Sequence, residues 1–237
     1  MQYSRDNPSV EYKRLVALYD ELHRTNGTQG EKVVYPGKSL YPFVGYIKAL
    51  INRYDAMTIL DYGAGKGLQY SHVRPKISKG RIYKSIKQYW GVDISCYDAG
   101  NPEFFNFPDG KFDGVISTDV LEHCPKTDLP WIIEEMFAKA NKFVFANIAC
   151  YPANTILSNG ENAHATIEMP DWWSNLIQSV AEKYPHIDYY FITTVKKKEP
   201  PAVISNTIEP HNVPAVSVLP KNIVKAIWFL LKQRFGF

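Results

Sequence analysis

Residues 58–67, T-I-L-D-Y-G-A-G-K-G, constrain this chain more than any other stretch. Thr58, Ile59 and Leu60 read as a short apolar strand. Asp61 ends the run, and Gly63, Gly65 and Gly67 follow on alternate positions. A helix is expected from about Leu68. Glycine lets backbone N–H groups come close to a ligand, and a helix start presents unpaired N–H groups, so strand, glycine turn and helix together cradle a nucleotide.

The type of nucleotide follows from two details. The dinucleotide fingerprint G-x-G-x-x-G is not met, because the third glycine comes one position early and Leu68 stands in its place. Asp61 lies two residues before the first glycine. A carboxylate there would repel a pyrophosphate, but it suits a ligand with an ammonium group. S-adenosylmethionine has no phosphate and carries both an ammonium and a sulfonium.

At 237 residues the chain suits one α/β domain with additions. A net charge of +3 is far from the field of a general nucleic-acid binder, so long nucleic acid is not an expected partner. Cys96, Cys124 and Cys150 show no paired spacing. That argues against a zinc site and a disulfide framework and points to a reducing compartment. The N-terminus is polar, and no apolar run reaches the roughly 18–20 residues that span a bilayer. The expectation is a cytoplasmic protein.

Leu15, Leu18 and Leu22 recur at helical spacing, with Val16 and Tyr19 beside them, and predict an amphipathic helix over residues 10–23. A turn-rich loop at 35–40 leads to a second helix, 42–54. Residues 76–87 are basic and lack apolar periodicity, so they read as a solvated insertion. Residues 90–98 form the second strand. Its tip normally offers an acid to ribose hydroxyls, and two acids compete: Asp98 at the end of the run, and Asp93 within G-V-D-x-S. Too little chain separates Asp98 from Phe112 for a full helix and strand, so this part of the fold is shortened.

Residues 112–123, F-D-G-V-I-S-T-D-V-L-E-H, give the second strong signal: a buried strand ending in a polar cluster, where open α/β sheets bind ligands. Helices are expected from Asp128 to about Ala140 and from Pro170 to about Tyr184, with a strand at 142–148. Between them lies a long loop, 150–169, and loops of that length inside a compact domain are usually functional. Strands at 188–195 and 202–208 could pair antiparallel and close the sheet. Residues 221–237 read as a basic amphipathic helix. It would pack on the domain or a second subunit, with an anionic membrane surface as the other candidate.

The glycine stretch resembles motif I of the class I S-adenosylmethionine-dependent methyltransferases, and D-V-L-E-H resembles the fourth-strand motif of the same family. Residues 12–173 resemble a largely uncharacterised bacterial and phage group of these enzymes. The resemblance implies a Rossmann-like, seven-stranded, mostly parallel sheet flanked by helices. It implies an N-terminal helical cap (1–57), a cofactor-binding core (58–208) and a C-terminal extension (209–237). It assigns Asp61, Gly63, Ala64 and Gly65 to the cofactor, with Asp98 or Asp93 at its ribose. Asp119 and Val120, with Leu121 next to them, lie on its sulfonium and amine side. Tyr35, Lys38 and Ser39 are candidates for its carboxylate, or belong to an ordinary connecting loop.

The expected activity is methyl transfer from S-adenosyl-L-methionine to an oxygen or nitrogen of a small molecule or glycan. The alternatives are an RNA end or modified nucleotide, and a non-catalytic cofactor-binding module. His123 is the candidate base, because its pKa lies near neutrality. Either Glu122 orients it and His164 contacts the acceptor, or Asp119, Glu122, His123 and His164 hold a divalent cation. Similar E-H clusters with a later histidine carry a metal in small-RNA terminal methyltransferases and a quinone-pathway O-methyltransferase, which have Glu where this chain has Asp119. Trp172 and Trp173, with the tyrosines of the N-terminal segments, wall an aromatic-lined acceptor pocket or belong to the core.

Overall fold

A computed structural model of the chain describes residues 3–25, 37–72, 83–196 and 203–209. Its strands carry apolar side chains on both faces, as a sheet covered by helices on each side requires. Successive residues point to opposite faces. In β1 (Thr58–Tyr62), Ile59 joins one core cluster, while Leu60 and Tyr62 join the other. The remaining strands are β2 (Asp93–Tyr97), β3 (Phe112–Thr118), β4 (Ala140–Ala149), β5 (Asp188–Lys196) and β6 (Val203–Ile208), and the sheet order is β2-β1-β3-β4-β5-β6. The first five run parallel, and β6 pairs antiparallel with β5.

Seven strands were expected, and the described residues form six. Residues 98–111 make turns between β2 and β3 with no strand or helix, which is where the chain is too short for the usual pair.

One face of the sheet is covered by α5 (Leu129–Lys139) and α6 (Pro170–Ala181). Ile132, Ile133, Met136, Trp173 and Ile177 are buried there against Leu60, Val115, Val144 and Phe191. The other face is covered by α2 (Val44–Arg53) and α4 (Ile86–Trp90), with Tyr46, Ile47, Leu50 and Trp90 on Ile59, Ile116, Phe143 and Tyr190. Each such side chain contributes about 1.5–3 kcal/mol by leaving water. The expected helix at 42–54 divides into a 3-10 turn, Lys38–Phe43, and α2. Helix α4 falls partly within the segment read as a solvated insertion. Ser85 caps it by accepting from Gln88 N, and Ile86 and Trp90 bury its inner face. The short helix α3 (Leu68–His72) follows the glycine turn.

Helix α1 (Val10–Thr25) lies on the long loop. Leu15, with Leu18, Tyr19 and Leu22, packs on Leu157, Ala163 and Ala153 in a small separate cluster. Its start is tied to α5, where Asp128 accepts from Ser9 N at 3.0 Å. The same carboxylate accepts from Trp131 Nε1 within α5, and Asp128 makes no side-chain cap to that helix's backbone. The segment 221–237, Tyr35, residues 76–82 and the lysine-rich turn after β5 lie outside the described residues.

Candidate functional site

The site is assembled where β1 to β4 end at their carboxyl edge. Past β1 the chain turns back over β2: Gly63 N and Ala64 N donate to Tyr97 O at 2.8 and 3.0 Å. Gly63, Gly65 and Gly67 all have positive φ, at 87°, 59° and 61°. Two of these glycines answer different needs. A β-carbon on Gly63 would overlap Val120, whereas one on Gly65 would meet nothing within 4 Å. Gly63 is therefore required by packing, and Gly65 borders open space where a ligand's atoms fit.

Asp61 is fully enclosed beneath this turn. Its Oδ2 accepts from Tyr70 OH at 2.7 Å and Gln69 Nε2 at 3.1 Å. Its Oδ1 has no partner among the described residues, and neither has Gln69 Oε1. Burial pushes the carboxyl up to about 6, against the two hydrogen bonds that lower it. Two buried acceptors without a donor are costly unless a ligand supplies one. An ammonium group fits that need, so the residues present suit the amine end of S-adenosylmethionine. Ser39 Oγ reaches Thr118 O at 3.5 Å, bringing the 3-10 turn to the same edge.

The two candidate ribose acids are separated by β2. Asp98 follows its last residue. It accepts from Gly65 N at 2.7 Å and Gly100 N at 2.9 Å, while Asn101 Nδ2 donates to Gly65 O at 2.6 Å. Burial raises its carboxyl, opposed by His23 and these backbone donors. Asp93 pairs in register with Thr58 at the opposite end of the strand and is exposed, 3.5 Å from Lys87 Nζ. At about 3.3 Å per residue it is roughly 13 Å from Tyr97, so Asp93 is corrected to a surface residue.

The turn after β3 is strained and polar. Asp119 has φ 62°, which a non-glycine residue rarely adopts. A single 3-10 turn, Leu121–His123, follows. This turn divides its three side chains. Leu121 is corrected from a cofactor contact to core, fully buried in the cluster that holds Leu129 and Ile132. Glu122 is also fully buried and turned inward, where Oε1 accepts from Ala149 N at 2.7 Å. Burial first, and Asp119 second, hold its carboxyl well above the usual range. Glu122 is thus turned toward Ala149 N and Asp119.

His123 faces the site. Its Nδ1 lies 2.8 Å from Ala163 O, which can only accept, so Nδ1 carries the proton and Nε2 the lone pair. His164, from the long loop, is arranged alike, with Nδ1 2.5 Å from Tyr151 O. The two rings stand edge to face with centroids 4.8 Å apart. Potential ligand atoms of Asp119, His123 and His164 all lie within 4.8 Å of one another. Metal-binding imidazoles commonly hold their other N–H on a carbonyl in this way, so these three side chains, without Glu122, could hold a divalent cation.

Asn162 shapes the loop that delivers His164. Its Oδ1 accepts from Ala153 N at 2.9 Å and His164 N at 3.0 Å, and its Nδ2 donates to Ala153 O at 2.8 Å. Trp173 belongs to the core, while Trp172 lies under Lys126 Nζ, 4.8 Å from the ring centroid. Sequence reasoning missed Gln69, and it placed Tyr19 among the N-terminal tyrosines that could wall a pocket without seeing that its hydroxyl meets His123 and Ala163. Tyr19 was absorbed into an apolar stripe, and the one available signal was a hydroxyl within that stripe.

A family model described as "Methyltransferase domain" matches residues 41–197, more than half of the chain. No curated protein matches. Several solved structures do. Magnesium protoporphyrin IX methyltransferase from Synechocystis PCC 6803, with bound SAH, is 13% identical at a TM-score of 0.45, over 84% of this chain and 97% of that one. The 1,6-didemethyltoxoflavin-N1-methyltransferase of Burkholderia thailandensis, bound to 1,6-didemethyltoxoflavin and S-adenosylhomocysteine, is 14% identical at 0.47, over 85% and 91%. A SAM-dependent methyltransferase from Archaeoglobus fulgidus is 14% identical at 0.38, over 84% and 92%.

Proposed function

The chain belongs to the methyltransferase domain family, and from that premise we propose that it transfers the methyl of S-adenosylmethionine to an oxygen or nitrogen of a small molecule or glycan. One observation carries the reading. Gly63 packs directly on Val120, so the glycine turn is one side chain away from the turn that bears Asp119 and His123. A donor on the first and an acceptor beside the second would be neighbours.

S-adenosylmethionine, when bound, supplies an already activated methyl group. The protein's part is alignment, exclusion of water and removal of an acceptor proton. Asp61 Oδ1 and Gln69 Oε1 receive the ammonium. Asp98 receives the ribose hydroxyls, and Gly65 leaves room for the nucleoside. His123 Nε2, the lone-pair nitrogen, takes the acceptor proton. Glu122, bonded to Ala149 N, holds the turn in place.

The test is formation of S-adenosylhomocysteine by the purified chain with small hydroxyl and amine acceptors, oligosaccharides and short RNA ends. Turnover confined to the first two groups is expected. Turnover confined to RNA ends would replace the acceptor class. In the productive reaction, His123→Ala should lower turnover about 10²–10⁴-fold with cofactor affinity retained. Unchanged turnover would remove His123 from the mechanism.

A second reading rests on the Asp119, His123 and His164 cluster, whose ligand atoms all lie within 4.8 Å of one another. A divalent cation there would acidify an acceptor hydroxyl. Titration calorimetry with Mn2+ and Mg2+ on chelator-treated protein tests it. Binding that His164→Ala weakens by more than about tenfold supports the reading. No binding, with turnover indifferent to EDTA, leaves His123 acting alone.

A further inference from the structure

The side chain that fixes the catalytic imidazole comes from the N-terminal helix. Tyr19 OH donates to Ala163 O at 2.6 Å and lies 2.7 Å from His123 Nδ1. That nitrogen is itself 2.8 Å from Ala163 O. The three atoms form a closed triangle with one consistent proton arrangement. The phenol proton goes to the carbonyl, and the Nδ1 proton is shared between the carbonyl and the phenol oxygen. The tyrosine ring also stands edge to face on the imidazole, with centroids 5.4 Å apart.

We propose that Tyr19 is a positioning residue: its hydroxyl holds the His123 ring with Nδ1 protonated and Nε2 turned toward Asp119 and His164. Two features of the fold support a placed hydroxyl over incidental packing. Tyr19 belongs to a helix whose apolar neighbours Leu15, Leu18 and Leu22 dock on the same loop that carries Ala163, so helix and carbonyl move as one body. On its other side, Gly100 leaves room for the tyrosine, since a β-carbon there would come within 2.8 Å of Tyr19 Cβ. Without α1, the imidazole would lose the phenol and keep its bond to the Ala163 carbonyl. The assembled centre therefore needs residues from three separated parts of the chain: 19, 119–123 and 163–164.

The role of the imidazole rests on the reading above, but its restraint by Tyr19 can be measured without turnover. In ligand-free protein with 15N-labelled histidine, the His123 Nδ1–H should give a downfield proton resonance protected from solvent exchange. Tyr19→Phe keeps the ring and removes the hydroxyl. It should speed that exchange about tenfold, the range expected for loss of one hydrogen bond. In the productive methyl-transfer assay it should lower kcat about tenfold while cofactor affinity stays within twofold. A merely structural tyrosine would instead lower both together. Unchanged exchange in Tyr19→Phe would overturn the proposal, whatever His123→Ala does to turnover. If Tyr19→Phe does not fold, 3-fluorotyrosine at position 19 keeps the size and makes the hydroxyl more acidic. A shifted Nδ1–H resonance then supports the restraint, and an unmoved one overturns it.

Discussion

Gly63 and Gly65 look alike in sequence and differ in what a side chain would cost. At Gly63, alanine meets both a positive φ of 87° and an overlap with Val120. Strain and overpacking together should cost about 2–4 kcal/mol in urea unfolding. Adding Val120→Ala should restore part of it, with a coupling of about 0.5–3 kcal/mol between the two sites. At Gly65, alanine should cost only about 1 kcal/mol, because nothing crowds it, yet cofactor affinity should fall sharply.

Asp61 gives a pH-dependent outcome at the same scale. Its carboxyl is raised from 3.8 to about 6. Below the unfolded value both states are protonated and the group costs nothing. As pH climbs through that window the unfolded chain ionises first, and the fold loses roughly 3 kcal/mol. Asp61→Asn should therefore stabilise the protein at pH 7, with the gain gone at pH 4 in thermal melts. In the function proposed above, cofactor binding uses the ionised form. Its affinity should be greatest near pH 7, weaken about tenfold per unit below 6, fall again above about 8 as the ligand's own ammonium loses its proton, and be absent in Asp61→Asn at every pH.

Among the elements, α1 was the least legible. Its stripe of Leu15, Leu18 and Leu22 says that one face is covered, without saying by what, and the partner, Leu157 with Ala163, is about 140 residues further on. Leu15→Ala should weaken this docking by about 2–4 kcal/mol. Hydrogen exchange should then quicken in residues 10–25 and 150–169 and stay unchanged in β1, β3 and β4. Equal loosening of the sheet would mean that α1 supports the core. Short-range features read well. The glycine turn and the acid turn depend on residues within a few positions of each other. The choice between Asp98 and Asp93 needed the pairing of Thr58 with Asp93, which no local pattern encodes. The placement of Glu122 was illegible for the same reason, since it accepts from the backbone of Ala149 at the end of another strand.

Across the whole molecule, one edge of the sheet gathers the chemistry: Asp61 after the middle of β1, Asp98 after β2, Asp119 after β3, and Tyr151 after β4 to hold His164. This is where open parallel sheets leave a crevice beyond their strands. Among the described residues no helix is long and apolar enough to cross a membrane. Carboxyls enclosed at this edge make the ligand-free protein uneasy at neutral pH. Added S-adenosylmethionine should therefore raise Tm more at pH 7 than at pH 5, at equal ligand concentration. An equal shift at both would detach Asp61 from the ammonium.

The contact between Gly63 and Val120 joins the glycine turn and the turn bearing Asp119 and His123 into one packed block. Evolution or an engineer seeking a new acceptor cannot reshape residue 120 without disturbing the donor's seat. Variation has to enter through the mantle laid over that block, the first helix and the long loop, and selection libraries confined to those two segments should recruit new acceptors while leaving the donor's grip intact.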